Sequence, residues 1–203
     1  MVDEMKLYNQ DCLPAMKEMP DNAFSLAIVD PPYGVGDFTQ SDRKYTVSWN
    51  ETTPNNDYFS ELLRVSKEQI IWGANYYNCF SKGGGAIIWD KHNPHPSMSR
   101  CEMASYSGQK KVDYVSIQWF GFACKNRDGF HPCEKPVALY KWLLKNYAKP
   151  GQTILDTHLG SGSIAIACDV FGFDLTAFEI DLEYIEGATD RLIRHRAQGV
   201  LDL

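Results

Sequence analysis

The 203-residue chain contains no apolar run approaching the roughly 20 residues that a membrane-crossing helix needs. Its start, Met1 to Lys6, lacks the pattern of a secretory signal, so the expected location is the cytoplasm. No Cys-x-x-Cys pair is present. The six cysteines (Cys12, Cys79, Cys101, Cys124, Cys133, Cys168) are scattered, which argues against a disulfide framework and against a zinc site, whose ligands cluster. They are expected to be buried thiols in a reducing compartment, and no metal site is expected. Internal repeats, low-complexity tracts and linker-like stretches are absent too. The chain also lacks the excess of basic charge that marks a protein binding nucleic acid over its whole surface, since its net charge is -6.

What remains is the composition of a globular domain. With 44% hydrophobic and 23% charged residues, the chain can bury a substantial core and is not disordered. Its length suits one α/β domain and falls short of two well-sized ones. The charge is unevenly spread. Between Lys91 and Lys135 there are seven basic residues against four acidic ones, leaving 13 against 22 elsewhere. A basic patch on an acidic body suits an enzyme that meets a polyanion at one face only.

Short apolar runs alternate with amphipathic stretches, as in a layered α/β fold. Strands are expected at Lys6 to Asn9, Phe24 to Val29, Gln69 to Trp72, Ala86 to Trp89, Thr153 to Leu155 and Leu175 to Phe178, with a further one within Val112 to Phe120. Phe24 to Val29 is an apolar run broken only by Ser25, which predicts a buried central strand. Helices are expected at Leu13 to Met19, Asp57 to Val65, near Tyr76 to Phe80, at Val137 to Tyr147, Ile164 to Phe171 and Leu182 to Gln198. Asp90 to Lys111 loses its period and reads as loop.

Four motifs carry chemistry. Asp30-Pro31-Pro32-Tyr33 follows the buried strand, and open α/β sheets bind ligands beyond the carboxyl ends of their strands. Two consecutive prolines remove two backbone donors and leave carbonyls that only accept hydrogen bonds. Asp30 and the Pro31 carbonyl can therefore hold the two hydrogens of an amino group, and Tyr33 offers a flat face to a base. The second motif is strand, glycine-rich turn, helix: Asp156-Thr157-His158-Leu159-Gly160-Ser161-Gly162-Ser163. Glu179 lies about twenty residues further on with Asp181 beside it, placed to accept hydrogen bonds from ribose hydroxyls, a pairing that points to an adenosine-containing cofactor. The third is Asn9-Gln10-Asp11-Cys12, whose Asp11 can accept from an adenine amino group, though such a residue alone is more often a helix N-cap. The fourth is His131-Pro132-Cys133-Glu134-Lys135-Pro136, whose Lys135 is either paired with a carboxylate or solvated.

Together these motifs resemble those of the β-class DNA amino-methyltransferases, in which the Asp-Pro-Pro-Tyr motif precedes the glycine-rich one. The likeness covers 11–33 and 131–184 and is weaker between them. It implies a single methyltransferase domain over 1–203: a Rossmann-like α/β sheet in circularly permuted order, mostly parallel with one antiparallel strand, helices on both faces. Joining the two termini would lead the last helix into the Lys6–Asn9 strand and complete the sheet. The resemblance implies catalysis by Asp30, Pro31, Pro32 and Tyr33. It implies S-adenosyl-L-methionine bound by Asp11, Cys12, Asp30, Lys135, Asp156, His158, Gly160, Gly162, Ser163, Glu179, Ile180 and Asp181, with Asp11 near its adenine and Lys135 near its methionine end. His158 stands where the family usually has an aromatic ring. A short target-recognition segment is expected at 91–130, leaving room for a second protomer, as a homodimer, to complete the DNA surface. The implied activity is methylation of an exocyclic amino group in DNA, adenine before cytosine because cytosine-specific members more often carry Ser at the place of Asp30. An RNA or protein methyltransferase, or a catalytically silent nucleic-acid-binding protein, stays open on the residues alone.

Overall fold

The computed structural model describes residues 5–36, 52–80, 84–93, 99–119, 131 and 133–201. In chain order the elements are β1 (Met5–Asn9), α1 (Cys12–Glu18), β2 (Phe24–Val29), α2 (Asn56–Val65), β3 (Ser66–Trp72), α3 (Ala74–Tyr77), β4 (Gly85–Asp90), β5 (Cys101–Tyr106), β6 (Val112–Ser116), α4 (Val137–Tyr147), β7 (Thr153–Asp156), α5 (Ser163–Phe171), β8 (Asp174–Glu179) and α6 (Leu182–Leu201). The eight strands form one sheet in the order β1-β8-β7-β2-β3-β5-β4-β6. Only β5 runs antiparallel to its neighbours; all other pairings are parallel. β1 lies parallel to β8 in unbroken register from Met5↔Leu175 to Asn9↔Glu179, so the first strand continues the sheet that the last one extends, as the permuted order requires.

The central strands β2 and β3 turn apolar towards their carboxyl ends, where both faces are covered. In β2, Leu26 and Ile28 join the core beneath α4, α5 and α6, with Leu139, Leu143, Ile164 and Ala188. Ala27 and Val29 point the other way, into a second core with Met16 of α1 and Leu62 of α2. The same alternation divides β3, where Ile70 and Trp72 face one layer and Ile71 the other.

Two expectations are corrected. The loop expected over Asp90 to Lys111 contains β5, which fits between β3 and β4 and pairs with both. Its sequence, Cys-Glu-Met-Ala-Ser-Tyr, has little intrinsic strand preference; the unpaired edges on either side provide the hydrogen bonds that make it one. The cysteines are not uniformly buried: Cys12 and Cys168 are, whereas Cys79, Cys101 and Cys133 are half-buried, and all five are free thiols. Cys124, Pro132 and parts of the 91–130 segment (94–98 and 120–130) lie outside the described residues. No helix among the described residues is long and apolar enough to cross a membrane.

Gly162 shows how tightly the helices close on the sheet. Its φ is +73°, and a Cβ there would lie 2.8 Å from the Ala188 Cβ of α6. Gly162→Ala should lose about 2–4 kcal/mol, the left-handed backbone penalty plus overpacking. Urea unfolding of G162A and of the G162A/A188G pair tests this: the second change should return the packing share and leave the backbone share.

Candidate active site

Because β1, β8, β7, β2 and β3 are parallel and adjacent, their carboxyl ends meet at one edge of the sheet. Asn9, Glu179, Asp156, Asp30 and Gly73 all sit there. A cavity of about 550 Å3 opens at this edge. It takes in all four residues of the Asp-Pro-Pro-Tyr motif together with Lys135, His158, Gly160, Glu179 and Ile180. Two motifs more than 120 residues apart in sequence therefore line a single space.

On one side Asp30 is the centre of a charged cluster. Its Oδ1 accepts from the Tyr33 hydroxyl at 2.6 Å, and its Oδ2 pairs with the Lys135 ammonium. Lys135 also donates to the Tyr33 hydroxyl at 3.1 Å and lies 3.2 Å from Oε2 of Glu102, whose Oε1 is 2.8 Å from Lys91. Burial raises the Asp30 carboxyl above its ordinary value, with Glu102 adding to this and Lys135 opposing it. Burial works against the Lys135 charge, but Asp30 and then Glu102 outweigh it and keep the ammonium protonated. The backbone of the motif is engaged from below: the Tyr77 hydroxyl donates to the carbonyls of Pro31 and, at 2.8 Å, Pro32. A carbonyl has two lone pairs, so Pro31 retains one for another donor. The Tyr33 ring stacks on Tyr76, with centroids 4.8 Å apart and planes 15° from parallel. Gly73, at φ +73°, passes so close to that ring that no side chain fits.

The other side is the glycine turn. Leu159 N–H donates to the Phe178 carbonyl at 2.9 Å, and Gly160 N–H donates to Glu179 Oε2 at 2.8 Å, tying the turn to the end of β8. Asn9 of β1 binds the same end through the carbonyls of Glu179 and Ile180. Gly160, at φ +50°, leaves space for His131, whose Nε2 would lie 3.1 Å from a Cβ. His158 is reached by a hydroxyl chain, from Tyr58 to Thr157 (2.7 Å) to its Nδ1 (2.9 Å). Burial lowers the His158 imidazole to about 4 and that of His131 to about 3, so both are neutral near pH 7.

Other residues named from the sequence stand outside the cavity wall. Asp11 caps α1 by accepting from Leu13 N–H at 2.9 Å, and Cys12 is packed in the α1–α2 core. Asp181 accepts from Glu183 N–H at 2.8 Å at the start of α6. Ser163 accepts from Arg191 at 3.0 Å, and Gly162 serves the α5–α6 packing. Asp156 is buried beneath the turn, where its Oδ1 accepts from His158 N–H at 3.0 Å. Sequence reading missed Glu102, Lys91, Tyr76 and Tyr77. Glu102 was hidden by the unrecognised β5; the Tyr76-Tyr77 pair sits right after the β3 strand end, a position that could have flagged it.

Burial raises the Asp156 carboxyl to about 8, with Asp30 and Glu179 adding and the His158 N–H opposing. In the unfolded chain it titrates near the ordinary value, so the folded state holds an extra proton between about pH 4 and 8. This contribution to stability is complete below pH 4 and is lost as pH rises through 8. Asp156→Asn should therefore gain Tm relative to the parent as pH goes from 5 to 9. A Tm difference independent of pH would contradict this.

Comparison with known proteins points the same way. A family model described as DNA methylase matches residues 49–190. The type II methyltransferase M2.MboI of Moraxella bovis is 22% identical, with 89% of this chain and 84% of that protein covered. Among solved structures, the M1.HpyAVI–SAM complex superposes with a TM-score of 0.63 at 19% identity, covering 93% of this chain and all of that one. The cytosine-N4-specific PvuII DNA methyltransferase gives 0.66 at 12% identity, covering 93% and 86%. The last two are likenesses of fold.

Proposed function

The chain belongs to the N6/N4 DNA methylase family, and on that premise we propose that it methylates the N6 amino group of adenine in DNA. It is an S-adenosyl-L-methionine-dependent DNA methyltransferase. The cavity residues fit that cofactor: a buried carboxylate at the end of β8 for hydroxyls, an apolar Ile180 beside it, a glycine turn that lets backbone approach, and a cation in Lys135. When bound, the cofactor supplies a methyl group on a positively charged sulfur.

The observation that carries the reading is that Asp30 and Pro31 line the same cavity as Glu179 and Gly160. A base amino group is a poor nucleophile because its lone pair is delocalised into the ring. Accepting its two hydrogens, at Asp30 and at the free lone pair of Pro31, favours a pyramidal nitrogen and stabilises the positive charge that develops there. Asp30, raised by burial, takes the proton that the nitrogen sheds as the new bond forms. Bringing the base out of the duplex costs a few kcal/mol, offset by stacking against the aromatic wall of Tyr33 and Tyr76. The segment 91–130 is the DNA-reading part; Asn93 and Ser99, which line the cavity, support this. Adenine is preferred because the motif begins with Asp, where cytosine-specific relatives more often have Ser.

Transfer of labelled methyl to DNA, RNA and protein, followed by nucleoside analysis, tests the proposal. N6-methyladenine in DNA is the expected product; N4-methylcytosine, or label in RNA or protein, would overturn the substrate. Asp30→Ala should lower kcat by about 100-fold or more while folding and binding cofactor. Near-parental turnover in D30A would remove Asp30 from the mechanism. An ionised Asp30 is needed, so kcat should fall on acidification through a pKa above the ordinary carboxylate range.

A further inference from the structure

Both oxygens of Asp30 are already engaged, Oδ1 by the Tyr33 hydroxyl and Oδ2 by the Lys135 ammonium. An amino group seeking Asp30 competes with a full positive charge for it. Lys135 is only 5% exposed, and an ammonium so buried cannot leave one anion unless another receives it. Glu102 is that second anion. Its Oε2 lies 3.2 Å from the Lys135 nitrogen and 3.4 Å from the Tyr33 hydroxyl. Its other oxygen is held at 2.8 Å by Lys91, which lies over the Trp89 ring, so Glu102 is anchored and has one oxygen directed at Lys135. Trp72 and Tyr33 flank the ammonium at 5.6 and 5.5 Å and leave it little space to move except between the two carboxylates.

We propose that Glu102 is a positioning residue for methyl transfer: it draws Lys135 from Asp30 as the substrate amino group arrives. The inference rests on the amino-methyltransferase reading above. Lys135 then shifts from a shared position to one on Glu102 and Tyr33, and Asp30 Oδ2 becomes the acceptor for the amino hydrogen. The proton released from nitrogen when the C–N bond forms and the C–S bond breaks goes to Asp30, and the C–S electron pair stays on sulfur. Neutralising Asp30 in that step removes the last reason for Lys135 to return before product leaves. Charge is conserved through the exchange because Lys91 balances Glu102 throughout.

Glu102→Gln keeps the shape and removes the charge, leaving Lys135 on Asp30. Its kcat should fall about tenfold or more while the KM for cofactor stays within about threefold, and Glu102→Asp should recover part of the loss. The titratable groups that interact with Asp30 include Tyr33 on its own segment, Glu102 from β5, Lys135 and Cys133 from the stretch before α4, Tyr58 from α2, Tyr77 from α3, Tyr140 from α4 and Asp156 from β7. Removing Glu102 takes away a like charge and leaves Lys135 unshared, so the acid limb of kcat should move to lower pH. A 13C titration of the Asp30 carboxyl without DNA should move in the same direction. If E102Q does not fold, the E102Q/K91Q pair, which keeps the cluster neutral overall, is read in the same way. Parental kcat with an unmoved acid limb and carboxyl titration would overturn the role of Glu102. Parental enzyme that places no methyl on a DNA amino group would overturn the underlying reading instead, and the carboxyl titration separates the two.

Discussion

The pairing of Lys135 with Asp30 holds the site together. It joins residues 105 apart in the chain, one at the end of a central strand and one in the approach to α4. Lys135 is buried and Asp30 largely so, and such a pair is stable only if its geometry is good and its remaining hydrogen-bonding capacity is met. That requirement accounts for what surrounds it. Tyr33 bridges the pair, Glu102 shares the ammonium, Lys91 compensates Glu102, and Gly73 leaves room for the Tyr33 ring. The four charges converge from different parts of the fold: Asp30 follows β2, Lys91 follows β4, Glu102 lies at the start of the antiparallel β5, and Lys135 precedes α4.

The two walls of the cavity divide the work by electrostatics. The Asp30 wall is ionic and carries the groups that can move a proton. The glycine-turn wall carries two histidines held neutral by burial, and beneath it lies a carboxyl, Asp156, raised to about 8. A cationic ligand held between these walls meets carboxylates already paired with Lys135 and Lys91 on one side, and no positive charge from His131 or His158 on the other. The hydroxyl chain from Tyr58 through Thr157 fixes how the His158 ring is presented.

Legibility followed burial. Phe24–Val29 announces itself because a strand covered on both faces must be nearly all apolar, Thr153–Asp156 and Asp174–Glu179 because short apolar cores stand between turn signals and helices, and the helix at Val137–Tyr147 because one stripe of it must be apolar. β5 was invisible because its pairing, not its side chains, makes it a strand. With β5 went Glu102, and with Glu102 the charge balance around Lys135. Acidic residues after strands were harder to sort: Asp11 and Asp181 turn back to cap their helices, while Glu179 and Asp30 reach the cavity. The residue types are the same, and only the direction of the side chain separates them.

By itself the sequence determined the identity of the chemical groups, the order of the motifs and the apolar strands that carry them, since these depend on local preference and hydrophobic pattern. Only the tertiary structure decided that Asp30 faces Lys135 and not solvent, that a polar stretch becomes an antiparallel strand, and that Gly162 serves helix packing. The reason is physical. Hydrophobic pattern is written along the chain with a short period, whereas the pairing of buried charges depends on which distant segments the sheet brings within 3 to 4 Å of one another, and that separation exists only once the sheet has closed.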